Sequence, residues 1–170
     1  MNRKTLDSII LKNDSLDWWQ PERFEKYTKH LLPPELEILE NPPPETENYN
    51  CFIFALRLHD NKEIITETKG FIYDSFIKKL IEIGELTKTT NPQTGDYVVY
   101  QDKTNYPDNL THIGIIDKDK IVSKWAWGPL IKHGVWDVPQ EYGDDVFYFK
   151  AISSEKAEEL YKTYKQFNLK

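Results

Sequence analysis

Apolar positions change their spacing along this chain, from helical periods in the first half to strand-like runs after residue 95. Pro21 suits a first helical position, and Phe24, Tyr27 and Leu31 follow at steps of three and four, which predicts a helix stopped by Pro33 and Pro34. Residues 40–47, ENPPPETE, can be neither helix nor central strand and read as a stiff connector. Asn50 is a good N-cap and the run from Cys51 to Leu58 is apolar nearly all round, so a buried helix is expected to begin at or just before Cys51. Another starts at Asp74 or Ser75, with Phe76, Ile77, Leu80, Ile81 and Ile83 apolar and Gly84 near its end. The turn cluster Asn91–Asp96 then introduces strands at Tyr97–Tyr100, Thr111–Ile116, Ile121–Trp125 and Val146–Ala151, with Asp117–Lys120 a hairpin turn. Ser153 or Ser154 caps a last amphipathic helix presenting Ala157, Leu160, Tyr161, Tyr164 and Phe167. Helices followed by antiparallel strands mean α+β. One domain over 1–170 is expected: an N-terminal helical layer (1–47), a core (48–152) and a C-terminal helix (153–168).

The charge balance is 22 basic against 28 acidic residues, a net charge of −6, which argues against nucleic acid or an anionic membrane as partner. No stretch has the roughly 18 apolar residues of a membrane helix. The apolar run Ile9–Leu11 is too short for a signal-peptide core, so the expected compartment is the cytoplasm as made, with a dedicated secretion system as the route to any target outside. The one cysteine, Cys51, excludes an internal disulfide and a multi-cysteine metal site. No histidine pair at metal spacing, no Gly-rich phosphate loop and no nucleophile elbow occurs, so no metal or cofactor is expected.

The remaining chemistry centres on Cys51. A thiol in the first turn of a helix faces unpaired N–H groups, which favour the thiolate and can hold an oxyanion. His112 opens an apolar strand 112 − 51 = 61 residues later, and Gly114, next on its face, leaves room beside it. His59 is eight residues beyond Cys51, about 12 Å along a straight helix, and cannot reach the thiol.

This order resembles the papain-like cysteine peptidases and amidases of the NlpC type. The matching residues are Cys51, then Pro92-Gln93-Thr94-Gly95-Asp96, then Tyr97–Tyr100 and His112-Ile113-Gly114-Ile115-Ile116, within residues 48–125. That family usually reads Asp-Cys-Ser-Gly-Phe where this chain has Asn50-Cys51-Phe52-Ile53-Phe54, so a bulky Phe52 replaces the small residues. The resemblance implies a nucleophile helix packed on a central antiparallel sheet, Cys51 as nucleophile, His112 as base and a third polar residue on the next strand. Strand counting gives that slot to Ser123, with His133 and Asp137 as alternatives. Asn50 would assist the oxyanion, and Trp125, Trp127 and Trp136 would line a substrate groove.

The implied activity is hydrolysis of an amide bond in a cell-wall or other peptide. A secreted toxin of this kind would have a protein inhibitor as partner. The same chemistry serves an acyltransferase or deamidase, and the fold without the chemistry serves as a binding module.

Overall fold

The computed structural model describes residues 2–10 and 19–169. Its architecture is α+β. Six strands form one sheet in the order β1-β5-β4-β3-β2-β6. They are β1 (Glu37–Glu40), β2 (Tyr97–Gln101), β3 (Leu110–Asp117), β4 (Lys120–Lys124), β5 (Leu130–His133) and β6 (Asp145–Phe149), and every pairing is antiparallel. The helices are α1 (Arg3–Ile10), α2 (Pro21–Arg23, continuing as a π turn Phe24–Thr28), α3 (Cys51–Ala55), α4 (Lys62–Thr68), α5 (Asp74–Glu82) and α6 (Ser154–Tyr164).

Alternation along the strands divides the interior into two layers. Tyr97, Val99, Ile113 and Phe149 point to the side covered by α3, α5 and α6, where Phe52, Ile53, Phe76, Leu80, Leu160 and Tyr161 complete a core. Val98, Tyr100, Ile116, Ile121, Trp125 and Ile131 point to the other side, against Leu6 and Ile10 of α1, Phe24 of α2, and the loop residues Val138 and Tyr142.

The expected strands form, as do helices α5 and α6. Ser153 caps α6 by accepting from Lys156 N at 3.2 Å. Three elements were not anticipated. β1 and β5 are four-residue strands carrying charged side chains, and α4 is capped by Asn61 within a polar stretch. The helix expected from Pro21 does form, but its π turn adds a residue to the period. Tyr27 and Leu31 consequently rotate into solvent, and Phe24 alone of the three apolar positions is buried. The buried helix at Cys51 is shorter than expected. Arg57 adopts a left-handed backbone (φ 57°), which ends α3 after one and a half turns.

The Gly95-Asp96 turn has a structural task. Asp96 accepts from Gln93 N at 2.8 Å and from Lys150 Nζ at 2.7 Å, tying the start of β2 to the chain beyond β6. Burial raises the Asp96 carboxyl, but Lys150 and the N–H groups of Gln93 and Ala151 outweigh it and hold the group below its usual range.

The approach to α3 is fixed by Gly70, which accepts from Asn50 N at 2.9 Å. Gly70 has φ +74°, and a Cβ there would collide with the carbonyl oxygen of Asn48. Gly70→Ala is therefore expected to destabilise the fold by about 2 kcal/mol or more, through strain and collision together. Urea unfolding checks it. A loss below about 0.5 kcal/mol would show that the 48–50 segment yields freely.

Candidate active site

Asn50 places the thiol. Its Oδ1 caps α3 by accepting from Ile53 N at 3.3 Å and also accepts from Ile72 N at 3.4 Å, while its Nδ2 donates to Ile72 O at 2.7 Å. The side chain thus clamps the start of α3 to the segment ahead of α5. One Nδ2 proton is committed to that clamp, so the oxyanion role expected of Asn50 would fall to the other.

The sheet provides the opening for the sulfur. Ile116 exchanges backbone hydrogen bonds with the turn before β2: Ile116 N donates to Asp96 O and Gly95 N to Ile116 O. Residues of the other parity on β3 therefore turn their backbone groups toward β4. The β3–β4 ladder runs from Asp117↔Lys120 to Ile115↔Val122 and stops. The next N–H of that parity, at Ile113, lies beyond the ladder. Together with the amides of Phe52 and of Cys51 itself it favours the thiolate of Cys51.

Burial nevertheless decides the protonation state. Cys51 is 5% exposed, and desolvation pushes its thiol up to about 12 against the pull of the three amides and of Lys124. The helix start was expected to lower this value, and removal from water outweighs it.

His112 pairs with Tyr100 across β2–β3, so its ring lies on the sheet face of Tyr100, opposite the face of Ile113. The ring stacks on Tyr142 with centroids 4.1 Å apart. Its Nε2 is buried and has no hydrogen-bond partner among the described residues, and the same holds for Tyr142 Oη. Burial, reinforced by His133, holds the imidazole well below its ordinary value and neutral. Cys51, on the face of Ile113, and the His112 ring, stacked on Tyr142, therefore lie on opposite faces of the sheet.

Ser123 serves a different histidine. His133 Nδ1 lies 2.7 Å from Gly134 O, a carbonyl that can only accept, so Nδ1 carries the proton and Nε2 the lone pair. The Ser123 hydroxyl, 2.8 Å from that Nε2, donates to it and accepts from Trp125 Nε1 at 3.1 Å. Burial lowers His133 to about 4, so this ring too is neutral. Asp137 accepts from Gly134 N at 3.2 Å and braces the same turn. Ser123 and His133 share the sheet face of His112, but their side chains bond to each other, to Trp125 and to Gly134.

The three tryptophans do not share a groove. Trp125 is fully buried, Trp136 is 42% exposed with Arg3 over its ring, and Trp127 meets Trp19 edge-on. Trp127 lines a cleft of about 400 Å³ with Asn48 and Gly70. A larger cleft of about 650 Å³, not foreseen from the sequence, is bordered by Glu40, Tyr49, His59 and Asp60. Among the described residues no group of three or more His, Cys, Asp or Glu side chains could hold a metal ion, and no helix is long and apolar enough to cross a membrane.

Two outcomes follow from the neutral histidines. Ser123→Ala leaves His133 Nε2 and Trp125 Nε1 buried and unpaired, and a loss of about 1–3 kcal/mol in urea unfolding is expected. A loss within error would mean both groups find other partners. Below pH 6.5 the unfolded chain binds protons at these histidines that the fold refuses, so stability rises with pH there. Stability is full above pH 6.5 and falls as pH drops, by up to ~1.4 kcal/mol per unit from His133 alone, until about pH 4. Urea midpoints measured at pH 7, 6 and 5 check the slope. Equal midpoints would exclude neutral burial of both rings.

No curated protein and no solved structure matches this chain. A family model described as a domain of unknown function, DUF7689, matches residues 41–150. That span holds Cys51, His112, Ser123, Lys124 and five of the six strands in full, and it covers more than half of the chain, which therefore belongs to the DUF7689 family.

Proposed function

We propose that this protein is a thiol hydrolase of amide bonds, built on an NlpC-type papain-like arrangement. The observation that carries the reading is the buried thiol at the first turn of α3, favoured toward the thiolate by the amides of Ile113, Phe52 and Cys51, with the buried, unpartnered Nε2 of His112 one residue along β3 on the opposite sheet face. A thiolate needs the first, and a proton acceptor needs the second. Cys51 attacks the acyl carbonyl, and the S–C bond forms as the C–N bond breaks. His112 Nε2 takes the thiol proton and returns it to the departing nitrogen. Water then hydrolyses the thioester with His112 again as base. The backbone N–H of Cys51 is the donor nearest to hand for the oxyanion. A peptide amide is the substrate class, and the net charge of −6 disfavours nucleic acid.

A second reading is a papain-like binding module without catalysis. It is favoured by one observation, the raising of the Cys51 thiol to about 12 by burial. Acylation distinguishes the two. Incubation with an activated acyl ester, followed by intact-mass measurement, should add one acyl group to wild type and none to Cys51→Ala. His112→Ala should acylate at least about 10²-fold more slowly, the usual scale of general-base assistance. Absence of any acyl-Cys51 over a range of acyl groups would leave the binding module as the reading.

A further inference from the structure

His112 and Tyr142 are buried and stacked, yet Nε2 of the first and Oη of the second have no hydrogen-bond partner among the described residues. Buried polar atoms are nearly always paired, and leaving one unpaired costs more than a hydrogen bond returns. Packing alone would be served by a phenylalanine at 142, which stacks as well and carries no hydroxyl to strand. The closed stack is therefore held against a penalty, and contacts outside it supply the hold.

Those contacts come from α1. Tyr142 ends the 3₁₀ turn Gln140–Tyr142, in the loop between β5 and β6. Arg3 Nε donates to Val138 O at 3.1 Å, and its Nη2 donates to Pro139 O at 3.0 Å and to Gly143 O. One guanidinium fork thus gathers both ends of the segment Val138–Gly143. The same guanidinium lies 5.3 Å from the centroid of the Trp136 ring. One turn further along α1, Asp7 accepts from Glu141 N at 3.3 Å. Leu6 and Ile10, both buried, seat the helix. On the inner side Thr111 Oγ1 donates to Tyr142 O. The segment ends at Gly143, whose φ of +117° suits glycine and provides a hinge.

We propose that α1 is a latch: Arg3 holds the segment Val138–Gly143 closed as a lid over His112, and release of Arg3 lifts Tyr142 and opens the imidazole to solvent. Lifting the lid hydrates both stranded atoms, so the open form lies closer in free energy to the closed one than burial of the stack alone implies. The latch itself concerns only access to the ring. Its consequence for turnover, that His112 serves as base once the lid has lifted, rests on the hydrolase reading above.

Diethyl pyrocarbonate modifies accessible imidazoles, and digestion followed by peptide mass measurement reads its rate at each of the four histidines. His30 is exposed and serves as the reagent control. His133 is buried outside the lid with both ring nitrogens bonded, so it reports loss of the fold. In wild type, His112 should label far more slowly than His30. Arg3→Ala should label His112 at least about tenfold faster than wild type, the scale of losing more than one hydrogen bond, with His30 and His133 unchanged. Tyr142→Phe should do the opposite. With no hydroxyl left stranded the lid closes more firmly, and His112 should label at least about fivefold more slowly than in wild type. If Arg3→Ala does not fold, Tyr142→Phe decides the question.

Wild-type His112 labelling as fast as His30 overturns the proposal. So does an unchanged His112 rate in Arg3→Ala, a rise in folded Arg3→Ala that His133 shares, or a His112 rate in Tyr142→Phe no slower than in wild type. Failure of the hydrolase reading looks different: His112 responds to both variants as expected, while no acyl-Cys51 forms in wild type or in either variant.

Discussion

A backbone N–H buried in a sheet has to find an acceptor, because leaving it unpaired costs about as much as a lost hydrogen bond. At Ile113 the neighbouring strand has already diverged, since the β3–β4 ladder ends at Ile115↔Val122. The Cys51 thiol of α3 packs on this face of β3, and the Ile113 amide favours its thiolate. The first turn of α3 thereby meets the sheet on the face of Ile113, opposite the ring of His112. The Asn50 clamp and the collision-tight Gly70 hold α3 at the height this contact needs.

The same enclosure sets the chemistry at rest. Raising a thiol from 9.0 to about 12 corresponds to roughly 4 kcal/mol disfavouring the thiolate. A helix end offers a neighbouring charge only ~0.3–1 kcal/mol, and α3 is a short helix. Desolvation therefore wins in the closed molecule, and each nearby titratable group is pushed toward its neutral form: Lys124 down to about 7, His133 to about 4, His112 well below its ordinary value. The His133–Ser123–Trp125 chain is satisfied at every polar atom, which marks it as scaffold. Buried unpartnered atoms remain instead on the stacked rings of His112 and Tyr142, on the same sheet face.

Local signals were strong wherever one residue type does one job. The Asn50 cap located α3, Ser153 located α6, and runs such as Tyr97–Tyr100 located central strands. Local signals were weak where tertiary contact supplied the stability. The sequence Leu130–His133 is a strand because β1 and β4 flank it, and Glu37–Glu40 is one because β5 accepts it at the edge. The π turn at Phe24–Thr28 has no marker in composition, yet it turned the expected apolar face of α2 away from the core.

By itself the sequence determined the α+β class, the caps, the four longer strands and the identity of the one nucleophile worth considering, because each follows from spacing or from residue chemistry at short range. Which face each strand residue meets depends on pairing register, and a shift of one position exchanges every side chain between the two layers. Counting through the Asp117–Lys120 turn put Ser123 beside the thiol's histidine. The observed register gives Ser123 to His133 and leaves Lys124 on the side of Cys51. Burial, likewise, is a property of the assembled fold. Only the tertiary structure could decide that the thiol is held neutral despite its place at a helix start, since desolvation by the surrounding core is larger than anything the helix end supplies.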